Sequence, residues 1–403
     1  MRPPFKASRP FYPAAPVDRL VEEAGYLLLS PTIVANRPQD VLDDETLLKS
    51  AANELGIGSN ETYWRIQACL GLQKRLEELP APSASGLRGW NNLRFANLRA
   101  LSFESAQALV PLRRPEFDLH AALPLVGELE PRVLGELASF AGKFTLGIPQ
   151  LEVPHTLALQ QWAHREQPYD FTVHGIAPGG AAAEVLFWNR PVRLYLESPP
   201  DYASCVAITE AKHQARSFLS IKYTDGGKPM PQLRALESFE GGLGISSLEE
   251  VSPAEARAFA AIEVYHLLIG SEYLSRHAAS ILSFSKAHHL VVGADGMEEG
   301  ALEALLEYDG PLLAWGPTRL SERAVRLISE RSAPVSLPTV KSLSDSHALL
   351  LRDSHSPVEL GKNTRLGSQM RILLNEEGYG AISFARSSPE LVELIPVSIG
   401  GEA

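Results

Sequence analysis

Apolar positions recur at helical spacing in the first part of the chain. The run "DDETLLKSAANELGI" opens on acids that suit a helix N-terminus and stops at Gly56. "SNETYWRIQACLGLQKRLEEL" follows, with Ser59 or Asn60 as cap and Trp64, Ala68, Leu72 and Leu76 on one face. The Pro-, Ser- and Gly-rich "PAPSASG" at residues 80–86 then breaks the pattern. Residues 21–150 are therefore expected to be mainly helical. Ahead of them, residues 1–20 read as an extended arm, because their prolines favour polyproline II.

Residues 151–245 change to a β-rich texture. "AAAEVLFWN", "RPVRLYLES", "SCVAITEA" and "SFLSIKY" are apolar runs with β-branched and aromatic residues, separated by Pro, Gly and Asp, and each predicts a strand. "TDGGKP", after Tyr223, has the composition of a tight turn or loop tip. From 246 to 397 helix and strand alternate. Ser252, Pro253 and Glu255 spell a capping box with proline at the first helical position. Ala256, Ala260, Val264, Leu267 and Leu268 continue it as a helical stripe ending at Gly270. "SEYLSRHAASILSFS" predicts a helix, "HHLVVGAD" a strand, "GMEEGALEALLEYDG" a helix, "LLAWGP" a strand and "LSERAVRLISERS" an amphipathic helix. The tail from Ala333 to Val397 alternates apolar and polar residues over several short runs and predicts strands.

The 403 residues suffice for one large domain or for two to three average ones. No run approaches the roughly 20 apolar residues of a membrane span. The basic N-terminus lacks the apolar stretch of a secretory signal. Cys69 and Cys205 are the only cysteines, far apart, and are expected to be buried free thiols. Net charge is −11 with no long basic block, which argues against a dedicated nucleic-acid-binding domain.

Signatures of catalysis are scarce. There is no GxxxxGK[ST], HExxH, GxSxG or CxxC, and "GGLGISS" lacks the last glycine of a dinucleotide fingerprint. Asp201, Glu210 and Lys212 form a loose D…ExK, the carboxylate pair and lysine of a PD-(D/E)xK-type metal-dependent nuclease. Asp345-Ser346-His347 and Asp353-Ser354-His355 repeat one triplet on either side of "ALLLR", read as a strand between two turns. His288-His289 precedes an apolar strand without a carboxylate or cysteine partner.

From residue 246 onward the order of segments resembles the HK97-fold shell proteins, encapsulins and tailed-phage major capsid proteins. "SSLEEVSPAEARAFAAIEVYHLLIG" is similar to the segment leading into their spine helix, and "HHLVVGADGMEEGALEALL" to the strand and helix that open their axial domain. "DGPLLAWGP" and "SAPVSLPTVKSLSDSHALLLRDSHSPVELGKNTRLG" look like later axial strands and the return path. "GAISFARSSPELVELIPV" is similar to the closing strand pair, with Leu391 where the family has alanine. The resemblance implies an α+β, HK97-like fold: spine helix, peripheral β-sheet, axial α/β domain and an extended hairpin loop, behind a mainly helical N-terminal region. Residues 205–235 would form that hairpin, and Glu210 and Lys212 would become exposed charges on it. The implied function is a self-assembling icosahedral shell, a virion or nanocompartment assembled in the cytoplasm around a genome or cargo protein. It implies no catalysis, no cofactor, no metal and no membrane.

Overall fold

One construction recurs along the chain: a strand, a return segment, then a second strand laid parallel beside the first. The computed structural model describes residues 27, 29–35, 38–75, 92–94, 98–109, 119–123, 127–138, 141–159, 169–223, 231–361, 363–367 and 381–384. The chain divides into two compact units, residues 1–177 and 178–403. This boundary falls inside the segment expected to be one β-rich region.

The first unit begins with helices α1 (Pro31–Ala35), α2 (Pro38–Asp43), α3 (Glu45–Leu55) and α4 (Ser59–Arg75). Asp44 caps α3 by accepting from the backbone N–H of Thr46 and Leu47, at 2.8 and 3.3 Å. Gly56 ends it in the left-handed region at φ 67°. The buried face of α3 is Leu48, Ala51, Ala52 and Leu55. Glu54 faces α1, accepting from the Thr32 hydroxyl at 2.7 Å. Strands β1 (Asn92–Arg94), β2 (Leu119–Leu123), β3 (Ala141–Leu146) and β4 (Tyr169–Val173) follow, each parallel to the one before. Helices α5 (Phe103–Leu109), α6 (Pro131–Ala138) and α7 (Val153–Ala158) connect or follow them.

The second unit is a nine-stranded parallel sheet in chain order: β5 (Val192–Leu196), β6 (Phe218–Lys222), β7 (Gly242–Glu250), β8 (His266–Leu274), β9 (His289–Met297), β10 (Leu312–Trp315), β11 (Val335–Leu337), β12 (Val358–Leu360) and β13 (Ile382–Phe384). The returns carry α10 (Pro253–Ala261), α11 (Arg276–Leu282), α12 (Ala301–Leu305), α13 (Glu322–Glu330) and α14 (Asp345–Arg352). Helix α8 (Ala181–Asn189) precedes β5, and α9 (Tyr202–Glu210) lies between β5 and β6. Parallel crossovers are right-handed, so strands added in one direction place every return on the same face. The other face receives none.

Burial agrees with that topology. One rung of side chains, Leu194, Leu219, Leu243, Leu267, Leu290, Leu312, Val335, Val358 and Ile382, is paired strand to strand, and no member is more than 4% exposed. Two residues on, Leu196, Ile221, Ile245, Ile269, Val292, Ala314, Leu337 and Leu360 are equally buried. The strand period of two puts both rungs on the helix-covered face. Successive rung partners lie 22 to 25 residues apart. Serines 252, 275, 321 and 344 cap α10, α11, α13 and α14, each accepting from the backbone N–H three residues on. Arg331 closes the return after α12, donating to the carbonyls of Leu306, Tyr308 and Gly310.

The HK97-like α+β expectation is overturned. The segment expected to hold the spine helix, axial domain and closing strands is a run of parallel strands with short returns. Its longest described helices, α10 and α13, have nine residues each. The predicted stripe breaks after Ala261: Val264, Leu267 and Leu268 belong to the approach and start of β8. An unbroken apolar run such as "HLLIG" fits a buried strand as well as a helix face, so spacing misled here. The hairpin expected at 205–235 is instead α9, a short 3-10 turn at Gln214–Arg216, and β6 paired in parallel on both sides. "AAAEVLFWN" and "SCVAITEA" are helices α8 and α9, while "ALLLR" is the body of α14. The arm at 1–20, "PAPSASG", "TDGGKP" and Pro389 to Val397 lie outside the described residues. The shell expectation drew its warrant from the HK97-like fold and is not carried forward.

Candidate functional site

The face of the nine-stranded sheet that receives no return helix is the most distinctive surface of the second unit. Its central row runs Tyr195, Ser220, Gly244, Leu268, Val291, Leu313, Ser336, Glu359 and Ser383, one residue per strand. Arg193, Phe218, Gly242, His266 and His289 form the row before it. Phe218, Leu268 and Val291 cluster with Tyr195 and Leu313, and the Tyr195 and Phe218 rings are 5.8 Å apart. A side chain at Gly242 would place its Cβ 2.6 Å from the Phe218 ring, so the missing side chain gives that ring its place. Charge is rare in these two rows: only Arg193 and Glu359 carry it.

Two hollows bound this face. At the amino ends of the strands, a cavity of about 210 Å³ is lined by His266, His289, Pro311, Pro334, Pro357 and Glu359, among others. The His266 and His289 rings are 4.7 Å apart, with Tyr265 packed edge-on to His266 at 4.7 Å. Burial, and then the nearby His289, push the His266 imidazole down to about 4. Burial, and then His288, also lower His289. Both rings are therefore neutral near pH 7. The carbonyls of Pro311, Pro334 and Pro357 accept from the N–H of Leu290, Leu312 and Val335 and start the ladder on each strand. Proline fits there because its own N–H is not required.

At the carboxyl ends of β9 to β12, a second cavity of about 380 Å³ is lined by Asp295, Trp315, Gly316, Thr318, Thr339, Lys341 and Asn363, among others. Nearby, Glu249, Glu250, Glu272, Glu298 and Glu299 are exposed at the carboxyl ends of β7 to β9, forming an acidic rim with Asp295.

The sequence candidates are placed elsewhere. Asp201 is the N-cap of α9, accepting from the N–H of Ser204 and of Gly179 at 3.0 Å each. Burial raises its carboxyl, and these hydrogen bonds outweigh burial and hold it below the usual range. Glu210 ends the same helix and Lys212 follows it, both exposed. Nine helical residues separate Asp201 from Glu210 by roughly 13 Å, so the three do not converge on one point. Cys205 is a fully buried free thiol, pushed up to about 12 by burial and then by Asp201. Asp345, Ser346 and His347 form the first turn of α14, and Asp353 terminates it. His288 is exposed at the entrance to β9 beside Tyr265. Among the described residues, no group of three His, Cys, Asp or Glu side chains is arranged to hold a metal ion.

No family model matches the chain, and no curated protein matches it. Among the described residues, no helix is long and apolar enough to cross a membrane.

Sequence reasoning missed the open face, although a signal for it was present. Ser252 and Ser275, Ser321 and Ser344, His266 and His289, and Pro311, Pro334 and Pro357 each recur at 23 residues. Self-similarity at such a period marks a stack of strand-and-return repeats before any helix or strand is assigned.

Proposed function

We propose that the second unit is a binding scaffold whose open sheet face holds a partner protein. The observation that carries this reading is the contrast between topology and chemistry on that face. No return helix covers it, yet it bears Tyr195, Phe218, Leu268, Val291 and Leu313 with very little charge. Contiguous apolar surface bordered by polar groups is the mark of an interaction site. Repeats of 22 to 25 residues with an inward leucine at each strand start are solenoids of the leucine-rich kind, whose long continuous faces serve as binding surfaces. That parallel is one of fold.

Charge complementarity selects the partner's chemistry. The acidic rim at the carboxyl ends of β7 to β9 and the net charge of −11 favour an apolar protein patch edged by lysine and arginine. Rim charges of this kind act mainly on association rate and salt dependence.

The test places a photo-crosslinking amino acid at Leu313 and, separately, at Arg326 on helix α13, and identifies the adduct. Binding of the purified adduct partner is then measured with Leu313→Asp and with Arg326→Asp. The reading expects capture from position 313 alone, affinity reduced about 30-fold or more by Leu313→Asp, and weaker binding as salt rises. Equal capture from both positions, or affinity indifferent to Leu313→Asp, overturns it.

A further inference from the structure

The cavity at the carboxyl ends of β9 to β12 has a chemical order that the apolar face does not explain. Asp295 extends β9, Trp315 ends β10 and Lys341 follows β11, so an anion, an aromatic and a cation come from three successive repeats. Asp295 and Lys341 are exposed, and neither has a hydrogen-bond or ion-pair partner for its charged group among the described residues. Trp315 is half-buried between them and pairs across the ladder with Gly293, which has no side chain to stand beside the indole.

The walls are held in place by bonds from repeat to repeat. The Gly316 N–H donates to the Thr339 hydroxyl at 2.9 Å, and that hydroxyl donates to the Pro317 carbonyl at 2.9 Å. The Lys341 N–H donates to the Thr318 carbonyl at 3.0 Å, and the Lys341 carbonyl accepts from Arg365 at 2.8 Å. Gly316 sits at φ 133° with its Cα hard against the Ala294 carbonyl, where a Cβ would come within 2.2 Å. Repeat spacing therefore persists past the strand ends. Two spacings of about 4.8 Å put the Asp295 and Lys341 backbones roughly 10 Å apart. Side chains reaching inward leave a shorter gap between opposite charges, floored by an indole.

We infer that this cavity binds a small zwitterion whose cation and carboxylate are held apart by an apolar chain, as in lysine or an ω-amino acid. The ligand cation meets the Asp295 carboxylate and its carboxylate meets the Lys341 ammonium. The intervening methylenes lie on Trp315, whose π-face also favours a nearby cation. The volume of about 380 Å³ is within the usual range for small-molecule pockets. A neutral sugar would leave both charges unanswered. An ordinary α-amino acid holds its two charges too close together to span the gap.

The probe is 6-aminohexanoate, titrated into the full chain by calorimetry beside hexanoate and hexylamine, which each keep one of its charges. We expect 6-aminohexanoate to bind at least about tenfold more tightly than either. Asp295→Asn should abolish its advantage over hexanoate, and Lys341→Met its advantage over hexylamine. Both positions are exposed, so these variants keep the fold, and circular dichroism verifies it. Free L-lysine is then compared with a short peptide ending in lysine and with its C-terminal amide. Tighter binding of the free-acid peptide assigns a chain terminus, and tighter binding of L-lysine assigns a metabolite. No heat with millimolar 6-aminohexanoate, equal binding of hexanoate, or indifference to both variants overturns the inference.

Discussion

The two faces of the nine-stranded sheet are built from the same strands and obey different rules. On the covered face every rung position from β5 to β13 is aliphatic, and none of the first-rung residues is more than 4% exposed. On the open face, equivalent positions hold Arg193, Phe218, Gly242, His266 and His289 in one row, and Tyr195 through Ser383 in the next. The covered face must interlock with the return helices at interior packing density, which limits it to branched aliphatics of similar volume. No return helix imposes that demand on the open face. Chemical variety collects where folding does not forbid it.

The largest expected effect separates the faces directly. Leu290 on β9 is fully buried against the returns, whereas Leu313 on β10 is half-buried on the open face. Leu290→Ala should destabilise the second unit by about 3 kcal/mol, since transfer and cavity terms add. Leu313→Ala should cost less than about 1 kcal/mol. Stacked repeats interact mainly with their neighbours, so amide hydrogen exchange in β8 to β10 reads the loss more directly than a global melt. Equal losses at the two positions would show that something covers both faces.

The elements and the faces were not equally legible in the sequence. The capping box at Ser252, the strands at "RPVRLYLES", "SFLSIKY" and "LLAWGP", and the helix at "LSERAVRLISERS" are all found where pattern placed them. Each is decided by its own residues. "AAAEVLFWN" and "SCVAITEA" were misread because their apolar residues follow no single period. Both helices are buried along much of their length, and a short buried helix has the composition of a buried strand. The parallel order was missed because the rung leucines are 22 to 25 residues apart, beyond any local window. The Asp295, Trp315 and Lys341 set was hidden for the same reason: its members come from separate repeats and only the ladder brings them together.

A second effect sharpens the comparison through protons. His266 is the most deeply buried titratable group on the open face, 5% exposed, with Tyr265 and His289 against its ring. Its folded-state value of about 4 lies below the ordinary 6.5. The unfolded chain therefore takes up this proton first as pH falls. The stability tied to neutral His266 is complete above about pH 6.5 and is lost progressively down to about pH 4. The loss should amount to roughly 2 kcal/mol once partial solvent screening is allowed for. Urea unfolding across that window, compared with His266→Gln, isolates the contribution. The variant should show a flatter profile between pH 6.5 and 4, while residual curvature from carboxylates remains in both proteins. An identical slope in the two would mean that the imidazole is charged or solvated in the folded state.

The smallest effect concerns the ends of the covering helices. Ser252 accepts from the Glu255 N–H at 3.2 Å, and the Glu255 carboxylate accepts from the Ser252 N–H at 2.8 Å, so two donors at the start of α10 depend on the pair. Ser252→Ala should cost about 1 kcal/mol, read as a lower urea midpoint at constant m-value. Ser220, in the central row of the open face beside Gly244, has no such duty, and Ser220→Ala should stay within about 0.5 kcal/mol. The same substitution thus reports whether a serine closes a helix that the fold requires or stands on the surface that the fold leaves free. A cost at Ser220 equal to that at Ser252 would place structural demand on the open face and remove the asymmetry between the two.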